Sequence, residues 1–358
     1  MKKKQHGADI YTAARKLGIS ENKIIDFSSN INPLGIPKGV QRAAIDSIKY
    51  SNRYPDINCR ELVNSISIYE NIPVEWIFTS NGAAEAIYRI ALNFIPHNGF
   101  LLAPTFSEYE QALKTVGTNI KYFNLIEEDD FKVTDKILNS INDEVDIVFI
   151  CNPNNPTGQI TDKKLLETII SHSKSIGVVV VIDECFLDFV EDKEKYSVSN
   201  ILKKYDNLII LKAFTKTYAI PGLRLGYCLS SNTEIIRGLK NSGPPWNVST
   251  IAQASGLAAL KERDYLAKSI IYVTEQRKYL ANEMKNLNIK VYESYANYIL
   301  FKIIEKIDLK EEMLKRGILI RSCSNYMNLD YHYYRIAVKS KDENKLFIKK
   351  LKEIIRAK

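Results

Sequence analysis

The chain has 358 residues, of which 45% are hydrophobic and 26% are charged, and its formal net charge is +8. This composition is typical of a folded globular protein and excludes a largely disordered chain. The longest apolar runs, such as GVVVVID at 177–183, are too short to span a membrane as a helix, and no apolar segment follows the N-terminal lysines. We therefore expect a cytoplasmic protein without a membrane partner.

The distribution of cysteine and lysine excludes two further classes of protein. The five cysteines are widely spaced and form no CxxC pair, so we expect neither a disulfide framework nor a metal site. The lysines are spread over the whole chain rather than gathered into one block, so we expect no nucleic-acid partner. The excess of positive charge instead favours the attraction of small anionic substrates.

Between about residues 75 and 230, short apolar runs alternate with segments of helical period. This pattern predicts a parallel sheet with crossover helices, in a large domain that covers 46–242. The predicted strands are WIFTS, GFLLA, VDIVFIC, VVVVID, NLIILK and LGYCLS. After GPPWNVS the pattern changes to two long helical stretches, several short strands and a final helix, which predicts a smaller α+β domain at 243–358. We expect residues 1–45 to form an N-terminal arm that contributes to the small domain and to the substrate site.

Three polar features follow predicted strands: CNPNNPTG after VDIVFI, Asp183 at the end of VVVVID, and Lys216 after NLIILK. Open α/β sheets bind their ligands at the carboxyl ends of the strands, so we expect these features to meet. Each has a simpler explanation alone, as a turn, a helix cap or a solvated lysine. Their joint order favours a cofactor site.

Pyridoxal 5′-phosphate requires this combination of groups. A lysine must bond its aldehyde, a carboxylate must keep its ring nitrogen protonated, and a cradle must hold its phosphate. Lys216 and Asp183 are candidates for the first two. In SNGAAEAI a glycine turn leads from a strand into a helix, so the N–H groups of Gly82, Ala83 and Ala84 are candidates for the cradle.

With Asn155 in NPNNPTG and Arg224 in PGLRLGY added to Asp183 and Lys216, the chain resembles the fold-type I pyridoxal-phosphate enzymes of the aspartate aminotransferase superfamily. The resemblance covers essentially the whole chain. It implies an α/β fold with a mostly parallel sheet flanked by helices, plus a smaller α+β domain. It also implies that Lys216 and Asp183 are catalytic and that Asn155 binds the 3-hydroxyl of the cofactor.

The resemblance assigns further residues to the cofactor. Arg224 and Thr215 would bind its phosphate, and Phe106 would stack on its ring. Tyr54 would reach the phosphate in a neighbouring subunit, which implies a homodimer. Ala213 stands where a serine or threonine commonly helps to bind the phosphate, so the affinity for the cofactor is expected to be lower than usual.

Two families within the superfamily take substrates with a phosphate monoester, the histidinol-phosphate aminotransferases and the threonine-phosphate decarboxylases. The stretches HGADIYTAARKLG, DFSSNINPLGIP, PPWNVS and RSCSNY resemble the second. Phe186 also stands where the aminotransferases usually have a tyrosine. The resemblance therefore implies decarboxylation of L-threonine O-3-phosphate to (R)-1-aminopropan-2-yl phosphate, the precursor of the aminopropanol linker of cobalamin. An aminotransferase, an O-phosphoserine decarboxylase and a non-catalytic pyridoxal-phosphate-binding module remain open.

The substrate would carry two anionic groups, and five residues are candidates to bind it. The planar guanidinium of arginine suits both phosphate and carboxylate, and Arg335 matches the carboxylate-binding arginine of the superfamily. By the same resemblance, the HG of the N-terminal segment folds over the substrate. The predicted substrate ligands are His6, Asn32, Asn155, Arg321 and Arg335.

Overall fold

A seven-stranded sheet is the largest sheet of the computed structural model, which describes residues 7–305 and 307–356. The strands of the described chain are β1 Ile25–Asp26, β2 Ile77–Ser80, β3 Asn98–Ala103, β4 Asn119–Asn124, β5 Ile147–Cys151, β6 Val179–Asp183, β7 Leu208–Ala213, β8 Gly226–Leu229, β9 Lys290–Val291, β10 Tyr298–Lys302, β11 Ile318–Leu319, β12 Arg321–Ser322 and β13 Tyr333–Ala337.

Helices cover both faces of this sheet and pack against the C-terminal strands. They are α1 Ile10–Leu17, α2 Lys38–Ser47, α3 Arg60–Glu70, α4 Gly82–Phe94, α5 Ser107–Thr115, α6 Lys163–Ser175, α7 Phe214–Thr217, α8 Thr233–Asn241, α9 Thr250–Ala259, α10 Arg263–Lys285, α11 Leu309–Leu314 and α12 Lys341–Arg356. Within the described residues, every helix is too short or too polar to cross a membrane.

The large sheet has the strand order β2-β8-β7-β6-β5-β3-β4, and its strands are parallel except for β8, which is antiparallel to both of its neighbours. Every residue of β5 is buried, as expected for a strand that is covered on both faces. All six strands predicted from the sequence are present, so the predicted mostly parallel sheet is confirmed. The edge strand β4 was not predicted, because its sequence NIKYFN is not a continuous apolar run and is only partly buried.

A second, antiparallel sheet of order β12-β13-β10-β9 lies in the C-terminal part of the chain. Its core includes Phe27 from the N-terminal segment, whose ring lies 5.0 Å from that of Phe347. The neighbouring strand β1 pairs in parallel with β11. The N-terminal segment therefore joins the C-terminal part of the molecule, while the domain limits given above stay a prediction.

Glu127 connects the loop after β4 to the C-terminal sheet. Its carboxylate accepts hydrogen bonds from the hydroxyls of Tyr292 and Tyr333 and from the ammonium groups of Lys290 and Lys302. Partial burial works against ionisation, but these four donors hold the pKa of Glu127 well below its usual range. The ionised carboxylate thus fixes one side of the C-terminal sheet against the large sheet.

Candidate active site

The carboxyl ends of β5, β6 and β7 open into a cavity of about 450 Å³. The parallel register explains this convergence, because Cys151 is paired with Asp183, and Asp183 with Leu211. The sequence-predicted residues that line the cavity are Ala83, Ala84, Phe106, Asn155, Asp183, Thr215, Lys216, Arg224, Arg321 and Arg335.

Lys216 lies on the short helix α7, directly after β7. Burial lowers the pKa of its amine to about 8, and the positive charges of Arg335 and Arg224 act in the same direction. A lysine with this pKa is partly deprotonated near neutral pH, so it can act as a nucleophile and can also carry a proton.

Asp183 ends β6 with only 5% of its surface exposed. The Tyr109 hydroxyl donates a hydrogen bond to its Oδ2, and the Cys185 N–H donates to its Oδ1 at 2.9 Å. Burial raises the pKa of Asp183, and these donors oppose that rise. A buried carboxylate at the wall of a cavity suits a cationic nitrogen as its partner.

The start of α4 forms the predicted anion cradle. Gly82 has a φ of +74°, and a Cβ there would lie 2.8 Å from Nη2 of Arg224, so only glycine lets the guanidinium approach the helix terminus. A Cβ on Gly226 would lie 2.6 Å from the amide nitrogen of Ala83. The two glycines therefore bring a helix N-terminus, an arginine and β8 together, which is an arrangement that binds phosphate.

Ala213 lines the cavity on β7, beside the buried Thr215. Its methyl group donates no hydrogen bond to an anion. The lower affinity for the cofactor that we expect from Ala213 therefore stays a prediction, and the position of Ala213 in the cavity supports it.

Arg321 and Arg335 lie directly opposite each other on the antiparallel strands β12 and β13, and each is at least 94% buried. Their hydrogen bonds go to amide and carbonyl oxygens: Arg321 to Asn325, and Arg335 to Asn155 and to the carbonyl of Ser28. Nε of Arg335 has no hydrogen-bond partner within the described part of the chain. Like charges in opposite positions repel, so this pair fits a ligand with two anionic groups.

Asn32 is a correction to the predicted site. It is buried but does not line the cavity, because its side-chain amide donates to the carbonyl of Thr217 and to Ser269 Oγ, both at 2.8 Å. Its N–H donates to the carbonyl of Lys216. Asn32 therefore holds the turn that carries Lys216.

Asn30, two positions earlier, lines the cavity instead. It is 3% exposed, and its Oδ1 has no hydrogen-bond partner among residues 7–305 and 307–356. Sequence reasoning could not decide which asparagine in SSNIN lines the cavity, because this depends on the local backbone conformation. Tyr109 was also missed, since nothing in the sequence places it against Asp183.

Two predicted residues lie elsewhere. Tyr54 is 79% exposed and packs its ring on Trp246, with the centroids 4.7 Å apart, so it is not part of the cavity of its own chain. Its predicted role in a neighbouring subunit stays a prediction. His6 lies outside the described residues, although the following Gly7 and Ala8 line the cavity.

The groups that line this cavity fit pyridoxal 5′-phosphate. A lysine amine, a buried carboxylate, the start of α4 at Ala83 and Ala84, and the aromatic ring of Phe106 all line one cavity, and a Cβ at Gly82 would collide with the guanidinium of Arg224 beside it. No cluster of three or more His, Cys, Asp or Glu side chains suited to a metal ion occurs among the described residues. Lys216, Asp183, Asn155 and the start of α4 would hold the cofactor.

Comparison with known protein families agrees with this geometry. The family model described as aminotransferase class I and II matches residues 22–351. The chain belongs to this family. Membership confirms the predicted fold and the predicted cofactor, pyridoxal 5′-phosphate.

Among curated proteins, the threonine-phosphate decarboxylase of Salmonella typhimurium is 36% identical over 98% of this chain and 96% of its own length. The histidinol-phosphate aminotransferase of Methanococcus aeolicus is 32% identical over 96% of this chain and 93% of its own length.

Solved structures include members of both groups. The histidinol-phosphate aminotransferase from Clostridium acetobutylicum has a TM-score of 0.87 and 32% identity, and covers 93% of this chain and 99% of its own. The L-threonine-O-3-phosphate decarboxylase from Porphyromonas gingivalis has a TM-score of 0.80 and 23% identity, covering 92% and 99%. The second likeness shows the fold alone.

The amine of Lys216 is expected to titrate near pH 8 in the cofactor-free protein, well below ordinary lysines near 10.5. Reductive ¹³C-methylation followed by NMR titration measures this midpoint, and Lys216→Ala identifies the signal. Arg335→Gln should raise the midpoint, because it removes a neighbouring positive charge. A midpoint above pH 10 for Lys216 would contradict the assignment.

Proposed function

We propose that this protein is a pyridoxal-phosphate-dependent carboxy-lyase that converts L-threonine O-3-phosphate into (R)-1-aminopropan-2-yl phosphate and carbon dioxide. The observation that carries the proposal is the buried pair Arg321 and Arg335, opposite each other in the cavity that also contains Lys216 and Asp183. The threonine-phosphate decarboxylase name of a 36% identical relative supports the same substrate. The product would serve as the linker precursor of cobalamin.

The charges of the cavity match a doubly anionic substrate. Four cationic side chains line it, and two carboxylates, Glu108 and Asp183, face them. The start of α4 and Arg224 suit the phosphate of the cofactor, and Asp183 suits its ring nitrogen. Arg321 and Arg335 then remain for the carboxylate and the phosphate monoester of the substrate.

These anchors determine which bond breaks at Cα. When bound, the cofactor supplies a conjugated ring that accepts the electron pair of a bond standing perpendicular to it. Arg335 is held by Asn155 and by the carbonyl of Ser28, so it offers a fixed position to one anionic group. Arg321, held by Asn325, does the same for the other. Two fixed anchors orient the Cα–carboxylate bond, which breaks as carbon dioxide leaves.

Lys216 and Asp183 handle the protons of this reaction. Nζ of Lys216, whose pKa of about 8 allows it to give and take a proton near neutral pH, delivers the proton that replaces the carboxylate at Cα. Asp183 keeps a proton on the ring nitrogen of the cofactor. The burial of both groups keeps water away from the reacting carbon.

Phe186 favours a lyase over an aminotransferase. It lines the cavity, is 6% exposed, and meets the ring of Tyr298 edge to face at 5.0 Å. A phenylalanine side chain cannot donate a hydrogen bond to the cofactor, whereas the tyrosine that aminotransferases usually have at this position could. The competing function, a histidinol-phosphate aminotransferase, is favoured by the 32% identical structure with a TM-score of 0.87.

We also propose a cytoplasmic homodimer without nucleic-acid or membrane partners. The support is Tyr54, which is 79% exposed and held by Trp246 outside its own cavity, as expected of a residue that serves a second copy. Sedimentation velocity should give twice the 40.9 kDa mass of one chain. A monomer with full activity would contradict the proposal.

The deciding experiment incubates the cofactor-loaded protein with L-threonine O-3-phosphate and no keto acid, and follows carbon dioxide and the amine product by mass spectrometry. We expect multiple turnovers with aminopropanol phosphate as the product. Faster turnover of O-phospho-L-serine would show that the enzyme prefers that substrate. Turnover of histidinol phosphate only with 2-oxoglutarate would establish the aminotransferase instead. If none of these substrates were converted, the result would favour a non-catalytic pyridoxal-phosphate-binding module.

A further inference from the structure

Tyr109 lies behind the cavity, between two residues that face it. It is on α5 and fully buried, and its hydroxyl donates to Oδ2 of Asp183 at 2.5 Å. Its ring meets Phe106 edge to face at 5.6 Å and stacks on Phe149 at 5.1 Å. One side chain therefore supports both the carboxylate and the aromatic ring that the sequence assigns to the cofactor.

The surroundings of Asp183 make the hydroxyl of Tyr109 important. The Cys185 N–H donates to Oδ1 at 2.9 Å, and the Cys185 thiol also donates a hydrogen bond to this carboxylate. The thiols of Cys151 and Cys185 lie close by, and burial raises the pKa of both, so they are neutral. Burial raises the pKa of Asp183, and the positive charge of Lys216 lowers it. Without Tyr109, Oδ2 would lose its hydroxyl donor in a buried site, which favours protonation of the carboxylate.

We propose that Tyr109 is a positioning residue that keeps Asp183 ionised and oriented toward the ring nitrogen of the cofactor. This inference rests on the proposed function for its cofactor. The Tyr109 hydroxyl binds one carboxylate oxygen and the Cys185 N–H binds the other, so the plane of the carboxylate is fixed. The remaining lone pairs of the oxygens can then accept from a protonated ring nitrogen.

Tyr109→Phe separates this role from simple packing. The variant keeps the ring that contacts Phe106 and Phe149 and removes only the hydroxyl. Tyr122→Phe is a matched control, because Tyr122 is a partly buried tyrosine on β4 that lies beside Glu110 instead of Asp183. Asp183→Asn, alone and combined with Tyr109→Phe, shows whether Tyr109 acts through Asp183.

The test measures the affinity of the cofactor-free protein for pyridoxal 5′-phosphate and for its 1-deaza analogue, in which carbon replaces the ring nitrogen. We expect Tyr109→Phe to weaken binding of pyridoxal phosphate about tenfold and to leave the analogue unchanged, because only the nitrogen uses Asp183. Tyr122→Phe should change neither affinity. In the Asp183→Asn background, Tyr109→Phe should have no further effect.

NMR of cofactor labelled with ¹⁵N in the ring gives a second readout that does not depend on activity. The wild-type complex should show a protonated ring nitrogen, and Tyr109→Phe should lower the pH at which that proton is lost. Equal weakening of both cofactors, or an unchanged affinity and ¹⁵N titration, would overturn the inference while the proposed function stands. A wild-type protein that binds neither cofactor would overturn both.

Discussion

Two buried arginines, Arg321 and Arg335, occupy paired positions on β12 and β13, and their positive charge favours an anionic ligand in the cavity. Among the described residues, the hydrogen bonds of Arg321 and Arg335 go to neutral oxygens, which do not offset the mutual repulsion of two like charges in paired positions. A ligand with two separate anionic groups relieves it. This repulsion occurs where the C-terminal sheet meets the carboxyl ends of the large sheet, in the cavity that Lys216 and Asp183 also line.

The large sheet supplies the groups for the cofactor. Strand ends carry Asp183 and the turn with Lys216, and the glycine-dependent start of α4 supplies the anion cradle. These groups prepare bond breaking at Cα without selecting the bond. In the proposed function, the arginine pair selects the bond, together with Asn155, which links the strand ends to Arg335. Phe186 lines the cavity where the resemblance leads us to expect a tyrosine in an aminotransferase.

The sequence was sufficient for features that depend on local pattern. Six strands were predicted because buried parallel strands are continuous apolar runs, and Lys216, Asp183 and the turn CNPNNPTG were found because they follow such runs, whereas Asn155 within that turn was named from the family resemblance. The edge strand β4 lacks that signal, because Asn and Lys interrupt its apolar residues. Features that depend on how distant segments pack together could not be predicted from the sequence. They include the placement of Arg321 opposite Arg335, the bond from Tyr109 to Asp183 across 74 positions, and the choice of Asn30 over Asn32.

The most direct test of the arginine pair is calorimetric titration of the cofactor-loaded Lys216→Ala variant with three compounds: L-threonine O-3-phosphate, L-threonine, and 1-aminopropan-2-yl phosphate. The doubly anionic compound should bind at least about tenfold more tightly than either of the others. Adding Arg321→Leu or Arg335→Leu should each remove the contribution of one anionic group only. Equal binding of all three compounds, or equal weakening of all three by either substitution, would contradict the assignment of the two arginines to the two anionic groups.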